Sequence, residues 1–364
     1  MDTTDPAIQF DESGNCNHCT EFLDKRAKYK YRGEESDRAL KQVIEDMKAT
    51  GKGREYDCIV GLSGGVDSCY AAYLLKQNGL RVLAVHLDNG WNSEEAVQNI
   101  KSVAQKLDID YESYVLDWEE FKNLQLSFLK ASVPEAETPT DIAILASVHH
   151  FASKYKVKYI VSGGNFATEG ILPKYWHYDA KDKKYLTSIQ KKFGTVRLKK
   201  FPTFGFNKEM IHKVVKRTKI IYLLNYVDYK KDETMEFLKK ELDWKYYGGK
   251  HYESKYTGFI QSYYLVKKFD LDYRRATLSS QICTGDVTRD EALEILKISS
   301  YASIDVEKEK AYLAKKLGIS LAEFQAIIDL PPKWYTDYPN NEKKLAFVYN
   351  TYRKLFKKEK LGSF

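Results

Sequence analysis

The sequence predicts an α/β protein, a parallel sheet with helices on both faces, carrying an N-terminal zinc-knuckle-like segment and a helical C-terminal region. Three observations carry that prediction. The first is the β-rich apolar run Cys58-Ile59-Val60-Gly61-Leu62, which stops at Gly64 and Gly65 and gives way to Cys69-Tyr70-Ala71-Ala72-Tyr73-Leu74-Leu75, with the apolar spacing of a buried helix. The second is another apolar run, Leu80 to Leu87, closed by Asp88-Asn89-Gly90. Strand, helix and strand in that order imply a right-handed βαβ unit and hence a parallel sheet. The third is a strand over Lys156 to Val161 that runs into a second glycine-rich loop, Ser162-Gly163-Gly164-Asn165. Two such loops at the carboxyl ends of parallel strands make a cleft, which is where sheets of this kind bind ligands.

Taken in order, residues 1 to 22 are rich in turn formers around Cys16-Asn17-His18-Cys19. Tyr29 to Met47 reads as an amphipathic helix and Gly51-Lys52-Gly53 as a linker. Glu94 to Leu107 is a helix, Asp110 to Leu116 a third strand, Trp118 to Lys130 a helix, and Thr138-Pro139-Thr140-Asp141 starts another that runs to about Tyr155. From Lys181 to Phe206 the chain is basic and aromatic, a solvated face or a surface for a nucleotide diphosphate or partner subunit. Helices are expected near Asn207 to Lys216, Asp232 to Leu242 and Phe259 to Val266, and through most of the chain from Arg289 onward. The expected division is 1–50 for the knuckle and first helix, 51–180 for the sheet domain, and 181–364 for a substrate-binding and helical region.

The loop Ser63-Gly64-Gly65-Val66-Asp67-Ser68 joins the first strand to a helix N-terminus. Unpaired N–H groups and a partial positive charge make that terminus a phosphate holder, and glycines let the backbone approach closely. Asp67 beside a phosphate calls for a cation or a cap, so a magnesium nucleotide is the economical ligand. No Gly-Lys-Ser/Thr ending is present, so the kinase and GTPase type of loop is a poor match. Asp88 stands beside this loop as a ligand or as a turn former before Asn-Gly. Asn165, Thr168 and Glu169 are the polar candidates of the second loop, for ribose, magnesium or an acceptor, the alternative being a tight surface turn.

Fifty-eight lysine and arginine residues against 51 acidic ones give a net charge of +7, compatible with RNA and with anionic nucleotides alike. The 28 tyrosines suit a half-apolar pocket wall or a subunit interface. No apolar run approaches the roughly 20 residues of a membrane span, and the first residues are acidic, so a soluble cytoplasmic protein is expected. Five cysteines fit a reducing compartment and a metal site, with Cys283, in what reads as a turn, the best third ligand after Cys16 and Cys19.

Ser-Gly-Gly-Val-Asp-Ser after a strand resembles the signature of the ATP pyrophosphatases, the PP-loop enzymes of the adenine nucleotide alpha hydrolase-like fold. With Met1-Asp2-Thr3-Thr4-Asp5-Pro6, Cys16-Asn17-His18-Cys19, Asn165 to Gly170, Gly248 to Ser254 and Cys283 to Arg289, the chain resembles over nearly its whole length the N-acetyl sugar amidotransferase family of bacterial surface-polysaccharide pathways. The resemblance implies ATP-dependent conversion of an acetamido group to an acetamidino group, in lipopolysaccharide O-antigen or flagellin-type sugar biosynthesis. It implies ATP and Mg2+ held by Gly61, Ser63, Gly64, Gly65, Val66, Asp67, Ser68, Asp88, Gly163, Asn165 and Lys174, with Lys250 or Lys174 meeting phosphate charge. His251 and Glu253 would orient the sugar or move protons, alongside Asp67 as a catalytic group. Thr168, Glu169, Arg274 and Arg275 would bind the nucleotide sugar, ordinary surface pairing being the bland alternative for Lys174, Lys250, His251, Glu253 and the two arginines. A structural Zn2+ on Cys16, Cys19 and Cys283 is expected. No Cys-His pair is placed to release ammonia from glutamine, so a separate glutaminase subunit is the expected partner; a homo-oligomer is compatible, nucleic acid is not expected. The rival readings are a tRNA-thiolating PP-loop enzyme and a non-catalytic nucleotide-binding scaffold subunit.

Overall fold

The computed structural model describes residues 1–29, 33–248 and 252–356. Two helices, α1 (Asn17–Tyr29) and α2 (Gly33–Gly51), precede the sheet. Then come β1 (Cys58–Gly61), α3 (Val66–Gln77), β2 (Val82–Asp88), α4 (Glu94–Lys106), β3 (Asp110–Val115), α5 (Trp118–Ala131), α6 (Thr138–Lys154) and β4 (Tyr159–Ser162). After α7 (Phe166–Glu169), α8 (Lys183–Phe193) and α9 (Phe206–Met210), a fifth strand, β5 (Lys219–Tyr222), completes the sheet. The strand order is β3-β2-β1-β4-β5 and every pairing is parallel. The chain leaves β1 toward β2 and β3 and later returns to the other side of β1 with β4. The order therefore reverses between β1 and β4, and a crevice opens there above the carboxyl ends of the strands.

Alternation along each strand sorts the side chains onto two faces. Cys58, Val60, Val82, Ala84 and Val161 pack with α2, α3 and α4 on one side. Ile59, Leu83, Val85 and Ile160 meet Val148, Phe151 and Ala152 of α6 on the other. Each of the larger buried side chains contributes about 2 kcal/mol, so both faces are held independently of the loops above them. Because α6 runs into β4 from the amino edge, its own N-terminal turn lies at the carboxyl edge, beside the crevice.

The rest is helical: α10 (Lys231–Leu242), α11 (Lys255–Phe259), a π-helical turn Ile260–Tyr264, α12 (Leu265–Phe269), α13 (Tyr273–Thr284), α14 (Arg289–Lys297), α15 (Val306–Leu317), α16 (Leu321–Asp329) and α17 (Glu342–Phe356). Most of these close a large aromatic core with α5, α6 and α8, centred on Phe121, Phe128, Tyr185, Phe259, Tyr264 and Phe324.

Three sequence expectations are corrected. The turn-rich N-terminal segment contains a helix, α1, held by Phe22, which is 1% exposed and stacks on Phe166 with centroids 4.4 Å apart; tertiary packing overrides its turn-forming residues. Cys283 lies in the last helical turn of α13, and the turn signal belongs to Gly285, whose φ of +83° caps the helix. The sheet also takes a fifth strand that no periodicity announced, four residues long and at the edge.

Candidate active site

The loop between β1 and α3 is organised by its own side chains. Ser63 Oγ accepts from the Gly65 amide at 3.2 Å, Ser68 Oγ accepts from the Ser63 amide at 3.2 Å and donates to the Gly65 carbonyl at 3.1 Å. Gly65 caps α3 without a side-chain hydrogen bond of its own, and the Val66 backbone of the first turn bonds with the Tyr247 phenol. Gly64 has a φ of +83°, and a Cβ there would stand 2.4 Å from the Ala96 carbonyl oxygen. The second loop is pressed onto the first: a Cβ on Gly163 would lie 2.7 Å from the Ser68 nitrogen. The two glycine-rich loops expected to form a cleft thus touch backbone to backbone at the point where strand order reverses.

Two carboxylates flank one tyrosine in this crevice. Tyr229 donates its hydroxyl to Asp67, and burial, then Asp67, then Glu169 push the phenol far above its usual range. Glu169 also acts on Tyr222, which burial first and that charge second push up to about 12. Asp67 in the first turn of α3 and Glu169 at the end of α7 thus both act on Tyr229, and oxygen donors of this kind suit a Mg2+ held with phosphate oxygens.

The C-terminal half reaches over the loop. A Cβ on Gly65 would meet the Tyr247 hydroxyl at 3.2 Å and Glu253 Oε1 at 3.7 Å. Trp244 Nε1 donates to the Gly64 carbonyl at 2.9 Å, which also accepts from Asn99 Nδ2 at 3.3 Å. Asn99 in turn clasps the backbone of Lys245, accepting from its amide at 2.7 Å and donating to its carbonyl at 2.8 Å. Farther along, the Ser93 amide donates to the Glu253 carbonyl at 2.8 Å and the Lys255 amide to the Trp91 carbonyl at 2.9 Å. Glu253 lies against the phosphate loop, 3.7 Å from where a Cβ on Gly65 would stand; Lys250 and His251 lie outside the described residues.

The other expected residues fall less evenly. Asp88 Oδ1 accepts from the Gly90 amide at 2.9 Å, the turn-forming role. Asn165 caps α7, accepting from the Thr168 amide at 3.0 Å and hydroxyl at 3.1 Å, while its buried Nδ2 has no partner among the described residues. Lys174 is exposed on the 3-10 turn Lys174–Trp176. Arg274 and Arg275 are both in ion pairs. Arg274 pairs with Asp272 at 2.6 Å and donates to the Ile298 carbonyl, and Arg275 pairs with Asp2 at 3.0 Å. Both guanidinium groups are engaged in fixing the start of α13.

Of the three thiols named from the sequence, Cys19 stands against Cys16 and against Cys283 in separate pairs. Cys16 and Cys19 Sγ are 3.4 Å apart, and a hydrogen bond from Cys19 lowers the Cys283 thiol. His18 turns away to Asp5 at 2.6 Å. Among the described residues no group of three or more cysteine, histidine or acidic side chains is disposed to hold a metal ion, so the zinc expectation is not carried by the geometry. Cys58 and Cys69 are fully buried, and burial pushes both thiols well up.

Sequence reasoning passed over the acidic turn that leads into α6. Glu137 accepts from Gln261 Nε2 at 2.9 Å. Asp141 is exposed in the first turn of α6, and desolvation with Glu137 alongside pushes its carboxyl up. Glu135 is 6% exposed, accepts from the Tyr185 hydroxyl at 2.9 Å, and is raised by burial to about 7 from 4.5. Because its folded-state value is the higher one, its stabilising effect is full below about 4.5 and lost as pH rises through 7. Glu135→Gln is expected to raise stability at pH 8 by about 2–3 kcal/mol while changing little at pH 4.5. Melting curves at the two pH values check this; equal shifts at both would remove the ionisation argument.

A parallel sheet with a Ser-Gly-Gly-Val-Asp-Ser loop at its switch point, closed by a second glycine loop, defines an enzyme of the PP-loop, ATP-using class. Residues 56–240 match the family described as tRNA methyl transferase HUP domain, and 253–355 match the LPS biosynthesis protein WbpG-like, C-terminal domain. The chain belongs to the PP-loop HUP-domain family, and its two matched halves together bear out the resemblance to the N-acetyl sugar amidotransferases. Among curated proteins, tRNA-specific 2-thiouridylase MnmA 2 of Fusobacterium nucleatum is 29% identical over 144 residues, 35% of this chain and 41% of that one. MnmA 1 of Thermoanaerobacter sp. is 26% identical over 195 residues, 50% of each chain. This chain spans about half the length of the curated relatives it matches. The solved NMN synthetase from Francisella tularensis is similar at 15% identity and a TM-score of 0.30, over 61% of this chain and 93% of that one. No helix among the described residues is long and apolar enough to cross a membrane.

Proposed function

We propose that this chain is an ATP-dependent amidotransferase that converts the acetamido group of a UDP-linked N-acetyl sugar to an acetamidino group, in O-antigen or related surface-glycan biosynthesis in the cytoplasm. The observation that carries this reading is the union, on one chain, of a PP-loop and a WbpG-like half whose first matched residue, Glu253, stands over the loop. An amide oxygen is a poor leaving group. Attack of that oxygen on the α-phosphorus of ATP gives an adenylated imidate and pyrophosphate, and ammonia from a separate glutaminase subunit then displaces AMP. The N–H groups of the loop and the Ser63 and Ser68 hydroxyls receive the departing pyrophosphate. Asp67 and Glu169 would hold Mg2+, which neutralises phosphate charge when bound. Glu253 orients the sugar or moves a proton, and Lys250 and His251 take the roles assigned from sequence. Asn165 Nδ2 and Thr168 line the acceptor side, and Arg274 and Arg275 are given no part.

The thiouridylase relatives favour a second reading, tRNA thiolation. It needs a reactive thiol at the loop, and the nearest, Cys69, is buried in α3 with its thiol pushed up, the setting of an inert cysteine. Pyrophosphate release from MgATP with ammonium, compared between UDP-linked acetamido sugars and bulk tRNA, tests the choice. Sugar-dependent release with a product about one mass unit lighter, as O is exchanged for NH, is the expected result. Release only with tRNA selects thiolation, and none with either leaves the scaffold reading. Cys69→Ala is expected to keep turnover within about twofold; loss of turnover, with the fold intact, would return the thiol chemistry to first place.

A structural zinc on Cys16, Cys19 and Cys283 also belongs to the proposal, supported by the approach of Cys16 and Cys19 Sγ to 3.4 Å and by the softness of the donor set. Protein purified without chelator is expected to carry about one zinc per chain; metal analysis finding none removes this part.

A further inference from the structure

The basic stretch noted in the sequence from Lys181 onward closes a cavity of about 370 Å3 between the N-terminal ends of α8 and α17 and the start of α9. Four lysines line it: Lys181, Lys183, Lys208 and Lys344. Lys181 is neutralised by the buried Glu209, 3.2 Å away. Among the described residues Lys208 Nζ donates to the Thr203 carbonyl, at 2.9 Å, and to no carboxylate. Among the described residues Lys183 and Lys344 take neither an ion pair nor a side-chain hydrogen bond, although the Lys183 stem lies against Gly205, where a Cβ would stand 2.9 Å from it.

The one carboxylate in the lining, Asp182, is saturated from within the fold. It accepts from the amides of Lys184 at 2.8 Å and Tyr185 at 3.3 Å, the Tyr178 hydroxyl at 2.7 Å, and the amide and side chain of Asn341 at 2.5 and 3.1 Å. It ties α8 to α17 and faces no lysine of the cavity as a salt-bridge partner. Three uncompensated ammonium groups around one concavity make a positive focus that attracts an anion. Phe206, Leu345 and Val348 supply an apolar wall beside it. A volume of this size suits a small ligand that is charged at one end and apolar or flat at the other.

We propose that this cavity is a second anion site, distinct from the phosphate loop, that takes a diphosphate ester with an apolar or aromatic body. None of its lining residues belongs to the crevice above β1 and β4, and the proposal does not depend on the amidotransferase reading. A nucleoside diphosphate and a lipid diphosphate share this chemistry, and the probe used distinguishes them.

Isothermal titration of the full chain with UDP, with inorganic pyrophosphate and with geranyl diphosphate is the test. The ester that belongs to the site is expected to bind more tightly than pyrophosphate and to weaken steeply as salt is raised. Lys183→Ala/Lys344→Ala is expected to lose at least tenfold of that affinity while its affinity for MgATP stays within twofold. Unchanged ester affinity in the double variant, no binding of either ester by the native chain, or a matching loss for MgATP would each overturn the proposal. Should the double variant melt early, Lys208→Ala carries the same test alone, with the same outcomes.

Discussion

Asp67→Asn is expected to lower pyrophosphate release at least about a thousandfold while leaving the melting temperature close to that of the native chain. Asparagine keeps an oxygen for the Tyr229 hydroxyl that Asp67 accepts, so the substitution removes charge and little else. A carboxylate at a helix N-terminus beside phosphates repels them unless a cation stands between, and Glu169 supplies a second carboxylate close by. The loss is therefore expected in turnover and in the Mg2+ dependence of ATP binding together. Turnover within tenfold of the native value would sink the assignment of Asp67 to the metal-nucleotide.

Gly64→Ala is expected to cost about 3 kcal/mol or more of stability and to abolish ATP binding. Two separate penalties meet at this position. A left-handed φ of +83° costs an L side chain about 1–2 kcal/mol, and the new methyl would stand 2.4 Å from a main-chain oxygen of α4, which has no rotamer through which to yield. Any shift that relieves the clash pulls the Gly64 carbonyl from Trp244 and Asn99. Gly65→Ala is the informative contrast: its methyl would meet only side chains, at 3.2 Å and beyond, and its φ is ordinary. It should fold and weaken ATP binding through Tyr247. A Gly64→Ala protein with the native melting temperature would overturn the clash argument.

What was legible in the sequence was what is local. β1, the loop, α3 and β2 sit within one short stretch whose periodicity and glycines state their own structure, and β4 with its loop repeats the pattern. Cys16, Cys19 and Cys283 were grouped across the whole chain because cysteines are few and their chemistry narrow, and among the described residues no group of three ligands for a metal is formed. The clamp on Gly64 was not legible: Trp244 and Asn99 are common core residues, and nothing in their neighbourhoods says that they meet a loop 180 and 35 positions away. Tyr229 on Asp67 was hidden for the same reason. For the arginines the sequence left a phosphate site and ordinary surface pairing open, because nothing in it places Asp272 and Asp2 against them. Asp141 was read as part of a helix start and Glu137 was passed over, and only the sheet's topology puts this start at the carboxyl edge.

The clasp of Trp244 and Asn99 also bears on where this protein can be divided. The HUP match ends at residue 240 and contains all five strands, the last of which ends at Tyr222. A fragment excised at that boundary would keep every strand pairing, yet leave the Gly64 carbonyl without its indole donor and Asn99 without the backbone of Lys245. Homology draws its line four residues before the side chain that finishes the nucleotide loop. The sheet is portable as a unit of descent; the site it supports is assembled only when the second half of the chain has been made.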